Sequence, residues 1–277
     1  MAHSKHVPQL GDIQETLLIP LYGRAVETGK RHGMLSDPRA VEMVDAIDYD
    51  FSRFDGARSL VGANLRTLLF DGWVSDFLAR HPSGTVVEIG TGLNTRFERL
   101  DNGTVHWFDL DLPDSIALRR NFFEDTNRRR MIAASVTDPA WTEEVLASPG
   151  PYFLVAEAVL IYLEEPQVRS VFDLVAEQLP GARLALETAA GHLIDSQDRH
   201  DVLGDMAARM RWRCDDPAGV ESWRTDVRLE ESCTFVHLPA ALHLRLPLPY
   251  RLLLAVLGRV KRRDMESFRF NLFRCGG

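Results

Sequence analysis

The sequence predicts a doubly wound α/β fold, in which helices cover both faces of a mostly parallel sheet. From Thr85 onward, short apolar strands alternate with helical segments, and a glycine turn directly follows the first strand. The region before Thr85 has helical periodicity only. We therefore expect an N-terminal helical cap over residues 1–82 and a core over 83–277, with a helical insertion at about 239–263.

The N-terminal region is predicted to be helical over residues 13–81. Its strongest pattern ends at His81 and Pro82, because proline disfavours helical backbone at the preceding residue. Apolar residues at helical spacing in this region are Leu65, Leu68, Leu69, Trp73, Phe77 and Leu78.

The core is predicted to alternate strands with helices. The strand candidates are residues 85–89, 104–109, 131–135, 152–157 and 182–187. The helix candidates are residues 95–100, 113–128, 139–147 and 165–179. Further strand candidates follow at 227–231, 234–237 and 267–274.

Two basic clusters interrupt an acidic chain. Arg128 to Arg130 stand where a helix is predicted to end, and cations are favourable at a helix C-terminus. Residues 250–263 combine leucines with arginines and a lysine. This pattern fits a membrane-surface helix, but we favour a cap helix that packs on the protein.

Composition excludes several classes of protein. A net charge of −8 argues against a general nucleic-acid binder. No apolar run is long enough to span a bilayer, and no apolar signal segment opens the chain, so we expect a cytoplasmic protein without stable membrane association. Cys214, Cys233 and Cys275 are too few and too widely spaced to predict a metal site or a disulfide scaffold. A homo-oligomer is compatible with the sequence.

The turn after the first strand predicts a nucleoside-containing ligand. Gly90 and Gly92 let the backbone approach a ligand closely, since neither carries a Cβ atom. Asp109 ends the next strand candidate, where an acidic side chain can accept hydrogen bonds from a ribose diol. The alternative is a glycine turn between strand and helix that binds nothing.

The residues around the turn favour S-adenosylmethionine over a dinucleotide. The dinucleotide motif G-x-G-x-x-G requires a third glycine, and Thr95 stands there. Glu88 precedes the first glycine, where it would repel a diphosphate but attract the cationic methionine portion of S-adenosylmethionine. Ser135, Glu157 and the loop from Glu187 to His192 follow other strands, so they are expected at the same ligand-binding edge.

Several segments together resemble a known family. They are LIPLYGRA at 18–25, DPRA at 37–40, Arg66 and Thr67 with Asp71, EIGTGLNTRF at 88–97, WFDLDLP at 107–113, SVTDPAW at 135–141 and AEAVLIY at 156–162. With these, the chain resembles class I S-adenosylmethionine-dependent methyltransferases. Within that class it resembles the leucine carboxyl methyltransferase superfamily, in its bacterial branch of tetracenomycin-type polyketide O-methyltransferases. The resemblance implies a Rossmann-like seven-stranded sheet.

The resemblance also implies roles for individual residues around the methyl donor. Gly90 and Gly92 would pack against it, Asp109 would hold its ribose, and Glu157 would lie near its methionine portion. Arg66 would pair with its carboxylate, Ser135 and Val136 would border its adenine, and Tyr162 would form a wall of the pocket. The alternative roles are structural: an ion pair for Arg66, a helix cap for Glu157 and core packing for Tyr162. Asp111 with Pro113 is expected to start a helix.

The acceptor is predicted to be an oxygen of a small polyketide-like or aromatic molecule, either a carboxylate or a hydroxyl. A carboxylate needs cations or hydrogen-bond donors, and Tyr22 and Arg24 in the cap are candidates. A phenol benefits from a general base, for which His192 is the candidate. His106, His200 and His237 are weaker candidates. Three alternatives stay open: a methylase of protein C-termini, a non-catalytic binder of S-adenosylmethionine, and a nicotinamide oxidoreductase.

Overall fold

A seven-stranded sheet forms the centre of the protein, whose computed structural model describes residues 5–277. The strand order is β3-β2-β1-β4-β5-β7-β6, and only β7 runs antiparallel to its neighbours. The strands are β1 Thr85–Ile89, β2 His106–Asp111, β3 Arg129–Ala133, β4 Tyr152–Ala156, β5 Ala182–Ala189, β6 Val227–Thr234 and β7 Phe268–Cys275. The predicted doubly wound α/β fold is confirmed.

Helices cover both faces of the sheet and build the cap. The α-helices are α1 Leu18–Thr28, α2 Pro38–Ala46, α3 Ser59–Arg80, α4 Arg96–Leu100, α5 Pro113–Arg119, α6 Trp141–Leu146, α7 Glu165–Gln178, α8 Gly191–Asp195, α9 Ala240–Arg245, α10 Leu248–Val260 and α11 Arg262–Ser267. The 3-10 helices are Gln14–Leu17, Phe51–Phe54, Leu160–Tyr162, Gln197–Arg199, Leu203–Asp205 and Pro217–Trp223. Among the described residues, no helix is both long and apolar enough to cross a membrane.

The parallel strands are buried on both faces, which explains their continuous apolar runs. Val87 and Phe108 face one hydrophobic cluster, which includes Phe172 of α7. Val86 and Trp107 face the opposite cluster, which includes Phe70 of α3. Helix α3, which lies within the predicted cap region, therefore packs on the sheet. Helices α9, α10 and α11 all lie between β6 and β7, where the insertion was expected.

Some element boundaries differ from the sequence-based expectation. Strand β2 continues to Asp111, two residues beyond the predicted end, and helix α5 ends at Arg119 instead of residue 128. Arg129 and Arg130 belong to strand β3, so the prediction that they end a helix was wrong. The reason lies in tertiary structure: Arg129 is buried and its Nε donates to Asp109 Oδ2 at 2.6 Å.

A buried ion pair joins the cap to the glycine loop of the core. Arg24 of α1 donates through Nε to Asp37 Oδ2 at 2.8 Å, and Asp37 caps α2 by accepting from the amide of Ala40 at 3.0 Å. Thr95 Oγ1, in the loop after β1, donates to the same carboxylate at 2.5 Å. Arg24 also donates to the carbonyl oxygen of Leu93 at 2.7 Å.

We expect Asp37→Asn to lower the free energy of unfolding by about 3–5 kcal/mol, because it leaves the buried Arg24 guanidinium without its charged partner. Chemical denaturation measures this change. The matched control is Glu42→Gln, which breaks the exposed pair with Arg39; such pairs contribute only about 0–1 kcal/mol. Equal destabilisation by the two variants would contradict a structural role for the Arg24–Asp37 pair.

Candidate functional site

A cavity of about 1430 Å³ opens at the carboxyl ends of β1, β2 and β4. Cavities that hold one drug-sized ligand measure roughly 300–1000 Å³, so this one has room for a cofactor and a second small molecule. Its wall includes the glycine loop after β1, the cap, the loop after β5 and helix α10. Most of the lining side chains away from the glycine loop are apolar, with Phe235 and Phe268 among them.

The glycine loop requires glycine at both predicted positions, and both line the cavity. Gly90 has φ +61° and Gly92 has φ +46°, a region that side-chain-bearing residues rarely adopt. A Cβ atom on Gly90 would overlap the side chain of Val159, and one on Gly92 would lie 3.0 Å from Leu17 Cβ. The loop can therefore pack against Val159 and Leu17 only because neither glycine carries a side chain.

Asp111, and not Asp109, brings a carboxylate to the cavity. Asp109 is 1% exposed and is enclosed by Arg119 at 3.1 Å and Arg129 at 2.6 Å. Burial opposes its ionisation, but the two arginines outweigh this effect and hold the pKa of Asp109 below its usual range. Asp109, which was expected to hold a ribose, is therefore not among the residues that line the cavity. Asp111 lines the cavity, accepts from the amide of Gly92 at 2.7 Å, and was expected only to start a helix.

Glu88, which was expected beside a bound ligand, also lies outside the cavity lining. Its side chain is 2% exposed, and Arg96 donates to its Oε1. Asn94 Nδ2 donates to the same oxygen at 3.1 Å. Burial raises the pKa of Glu88, against the attraction of Arg96. Glu88 therefore acts inside the protein, where it holds the residues that follow the glycine loop.

Arg66 and Glu157 line the cavity as an ion pair. Arg66 Nε donates to Glu157 Oε1 at 3.0 Å, and Arg96 Nη2 donates to Glu157 Oε2 at 2.5 Å. Burial opposes ionisation of Glu157, but Arg66 and Arg96 lower its pKa to about 2. The site therefore presents a permanent anion and a permanent cation side by side.

Glu187, at the end of β5, lies behind this ion pair. It is 1% exposed, neither of its oxygens has a hydrogen-bond partner among the described residues, and Oε1 lies 3.9 Å from Arg66 Nη1. Burial raises the pKa of Glu187 to about 7, against the attraction of Arg66. Near neutral pH, this carboxyl group is therefore divided between its neutral and charged forms.

The other predicted donor-site residues also lie in the cavity wall. Ser135 and Val136 follow β3 and line the cavity, as does Tyr162 in the 3-10 helix after β4. The Ser135 hydroxyl lies 2.8 Å from the Thr137 hydroxyl. Burial raises the pKa of Tyr162 to about 12, so its phenol stays protonated. These residues add neutral groups to the cavity wall that also contains the Arg66–Glu157 pair.

The two predicted acceptor anchors in the cap are engaged by other groups of the protein. Arg24 lines the cavity, but its guanidinium is committed to Asp37 and to the carbonyl of Leu93. Tyr22 is outside the lining: it stacks on Phe51 with 5.5 Å between ring centroids and donates its hydroxyl proton to Asp55. That hydrogen bond and burial raise the pKa of Tyr22 to about 12.

His192, the predicted general base, lies next to Asp264 of the cavity wall. It is not among the lining residues, and its Nε2 lies 3.4 Å from Asp264 Oδ1 without forming a hydrogen bond. His200, a weaker candidate in the sequence, does line the cavity. Its Nδ1 accepts from the amides of Val202 at 3.2 Å and Leu203 at 3.1 Å, so in the neutral ring the proton is on Nε2. The position of α8 places the His192 side chain beside α11.

Three cations at the cavity wall were missed in the sequence. They are Arg58 in the cap, Arg199 in the loop after β5, and Lys261 directly after α10. Within the described part of the chain, none has a carboxylate within 4.0 Å. Lys261 belongs to the basic cluster at 250–263, but no local pattern places the three cations together, because they are far apart in sequence. For Asp111 a signal existed: it directly precedes Leu112 and Pro113, where a strand must end before the next helix.

Known proteins resemble this chain in sequence and in fold. The leucine carboxyl methyltransferase family matches residues 18–176. The tetracenomycin polyketide synthesis O-methyltransferase of Streptomyces glaucescens is 31% identical over 83% of this chain and 86% of its own. An S-adenosyl-L-methionine-dependent methyltransferase of Gibberella zeae is 24% identical over 81% of this chain and 83% of its own.

Two crystal structures share the fold at low sequence identity. A Thermobifida fusca protein assigned to the methyltransferases superposes with a TM-score of 0.57 and 13% identity, covering 92% of this chain and 94% of its own. A DUF574 family protein of Streptomyces avermitilis superposes with a TM-score of 0.53 and 16% identity, covering 92% of this chain and 97% of its own. Together with the sequence matches, these findings show that the chain belongs to the leucine carboxyl methyltransferase family and is an S-adenosylmethionine-dependent methyltransferase.

Proposed function

We propose that this enzyme methylates a carboxylate oxygen of a small, largely apolar organic acid of aromatic or polyketide type. The observation that carries the proposal is the acceptor side of the cavity, which has apolar walls, three cations without carboxylate partners and no positioned general base. The resemblance to the tetracenomycin polyketide synthesis O-methyltransferase supports a small-molecule acceptor.

The groups at the glycine loop fit the charges of the methyl donor. S-adenosylmethionine supplies a methyl group on a sulfonium, and it carries an ammonium, a carboxylate and a ribose. Arg66 offers a cation to the carboxylate and Glu157 an anion to the ammonium. Asp111 offers carboxylate oxygens to the ribose hydroxyls, and Ser135 with Val136 borders the adenine. Gly90 and Gly92 line the same part of the cavity, so their backbone is within reach of the donor.

The acceptor chemistry follows from the absence of a suitable base among the described lining residues. A phenol has a pKa near 10 and needs a group that takes its proton, whereas a carboxylate is ionised at neutral pH. Burial lowers the pKa of His200, and its Nδ1 lone pair is used by two backbone amides. The remaining Nε2–H can donate a hydrogen bond but cannot accept a proton.

Methyl transfer is an in-line displacement, so the protein must align the two reactants and exclude water. Arg58, Arg199 and Lys261 attract the anionic acceptor and can hold one of its oxygens toward the donor end. Apolar residues such as Leu257 and Phe235 enclose the rest of the molecule. Arg66 and Glu157 keep the donor's amino-acid portion fixed while the methyl group moves.

The direct test is transfer of labelled methyl from S-adenosylmethionine to a panel of aromatic carboxylic acids and matching phenols. We expect solvent-extractable methyl esters from the acids. Methylation of phenols alone would contradict the carboxylate proposal. Label that stays on added protein would instead support a methylase of protein C-termini.

For the donor site, we expect Asp111→Asn to weaken S-adenosylhomocysteine binding by about 1–3 kcal/mol, from loss of charge-assisted hydrogen bonds. Its thermal stability should change little, because Asp111 has no arginine partner within ion-pairing distance among the described residues. Asp109→Asn is the matched control: it should mainly lower the melting temperature. Calorimetric titration and thermal unfolding of both variants measure the contrast. Weaker binding in Asp109→Asn only would refute the assignment of Asp111.

For the acceptor site, we expect Arg199→Gln to raise the KM for a carboxylate acceptor about tenfold, which corresponds to about 1.4 kcal/mol for one charge-assisted contact. The affinity for S-adenosylhomocysteine should not change. Steady-state kinetics on an acid found in the panel measure the effect. Arg130→Gln, an exposed arginine of β3 outside the cavity lining, is the control. An unchanged KM in Arg199→Gln would remove this arginine from the acceptor site.

For Glu187 we expect a pH-dependent effect on stability. Its pKa is 4.5 in the open chain and about 7 in the fold, so the folded state holds a proton that the unfolded state releases. Stability should therefore fall as pH rises from 4.5 to about 7. Glu187→Gln stays neutral, so its melting temperature should exceed that of the wild type at about pH 8 and approach it at about pH 5.

Thermal unfolding across this range measures the difference. Glu143→Gln, at an exposed position of α6, is the control and should show no such trend. A constant difference between Glu187→Gln and the wild type at all pH values would show that Glu187 does not hold a proton in the fold.

A further inference from the structure

One segment has a charge opposite to that of the whole chain. From Ser232 to Arg263 the sequence contains no aspartate or glutamate, although the net charge of the chain is −8. The basic residues in this segment are Arg245, Arg251, Arg259, Lys261, Arg262 and Arg263. Four of them, from Arg259 to Arg263, follow one another around the end of α10 and are exposed. The insertion therefore presents a local positive surface.

The same helix exposes a continuous apolar row. Leu248, Leu252, Val256 and Val260 are spaced four residues apart, so they lie along one side of α10. Their exposed fractions are 63%, 59%, 55% and 75%. At 1.5 Å per residue, the row is about 18 Å long. Side chains of this type in a row on the surface mark an interaction site.

The remaining sides of α10 already have contacts. Tyr250 and Leu254 are buried against the cap, in a cluster with Leu65. Leu253 and Leu257 line the cavity, and so does Lys261 just after the helix. The exposed apolar row therefore lies on the outside of a helix whose inner side is a wall of the active-site cavity.

We propose that α10 docks reversibly on the surface of a bilayer that contains anionic lipids. The apolar row enters the headgroup boundary, and Arg259 and Arg263 contact lipid phosphates, whereas Arg262 pairs with Glu266 at 2.8 Å. An amphipathic helix with an aliphatic face and basic flanks has the composition that interfacial binding requires. Docking places the cavity wall formed by Leu253 and Leu257 next to the lipid, from which an apolar acceptor can enter.

The charge and the apolar side chains of this surface disfavour two other binding partners, a second copy of the chain and a different protein. A second copy of the chain whose α10 packed in parallel would bring two basic helix ends together, and like charges repel. A protein partner forms about one hydrogen bond per 100–200 Å² of interface, but the side chains of the row offer no donor or acceptor. A bilayer requires neither shape complementarity nor such partners.

Co-sedimentation with vesicles tests the proposal on the full-length protein. We expect binding to vesicles of phosphatidylcholine mixed with phosphatidylglycerol, little binding to phosphatidylcholine alone, and release by high salt. The double variant Leu252→Ser with Val256→Ser should bind at least about tenfold more weakly. Leu146→Ser, at an exposed position of α6 with 44% exposure, is the matched control and should bind like the wild type.

A second variant separates the charge contribution from the apolar one. Arg259→Gln with Arg263→Gln should lose the preference for phosphatidylglycerol while the methyltransferase activity on a soluble acceptor is kept, because neither arginine lines the cavity. No binding to either vesicle, or equal binding by the wild type and both double variants, overturns the proposal. Self-association that the Leu252→Ser, Val256→Ser variant abolishes, without lipid binding, would assign the surface to a second copy and overturn it as well.

Discussion

The buried guanidinium of Arg96 is the interaction on which the candidate site depends. It is fully buried and pairs with Asp71 of α3 at 2.7 Å, with Glu88 of β1, and with Glu157 after β4 at 2.5 Å. Burial opposes its charge, but the three carboxylates hold the pKa of Arg96 well above its usual value. One side chain thereby fixes the positions of a helix, a strand end and a cavity residue.

This arrangement also explains how the glycine loop keeps one conformation although two of its residues have no side chain. Glu88 stands immediately before the loop and Arg96 immediately after it, so their ion pair closes the loop at its base. Arg24 adds a contact at the tip through the carbonyl of Leu93. Buried ion pairs rarely add stability over an apolar core, but removing one partner leaves an uncompensated charge. The network therefore enforces one geometry of the loop more than it stabilises the fold.

The sheet and the glycine loop could be predicted from sequence because their causes are local. A strand buried on both faces is a short apolar run, and a turn with positive φ needs glycine. Leu112 and Pro113 mark Asp111 as a strand end, but the local pattern does not show which of Asp109 and Asp111 is enclosed by the protein. Both lie on the same face of β2, and only the approach of Arg119 and Arg129 shows which carboxylate is enclosed. Those contacts depend on the packing of α5 and β3, which the sequence pattern does not contain.

The two ends of the cavity differ in how they are built. The end proposed for the donor consists of strand ends and α3, which the central sheet holds in place. The end proposed for the acceptor consists of segment ends from the cap, the loop after β5 and the insertion. Substitutions at the acceptor end therefore need not disturb the Arg96 network. Helix α10 connects this end to the surface, because Leu253 faces the cavity while Leu252 faces outward. Any molecule that binds the outer side of α10 consequently contacts the same helix that bounds the acceptor.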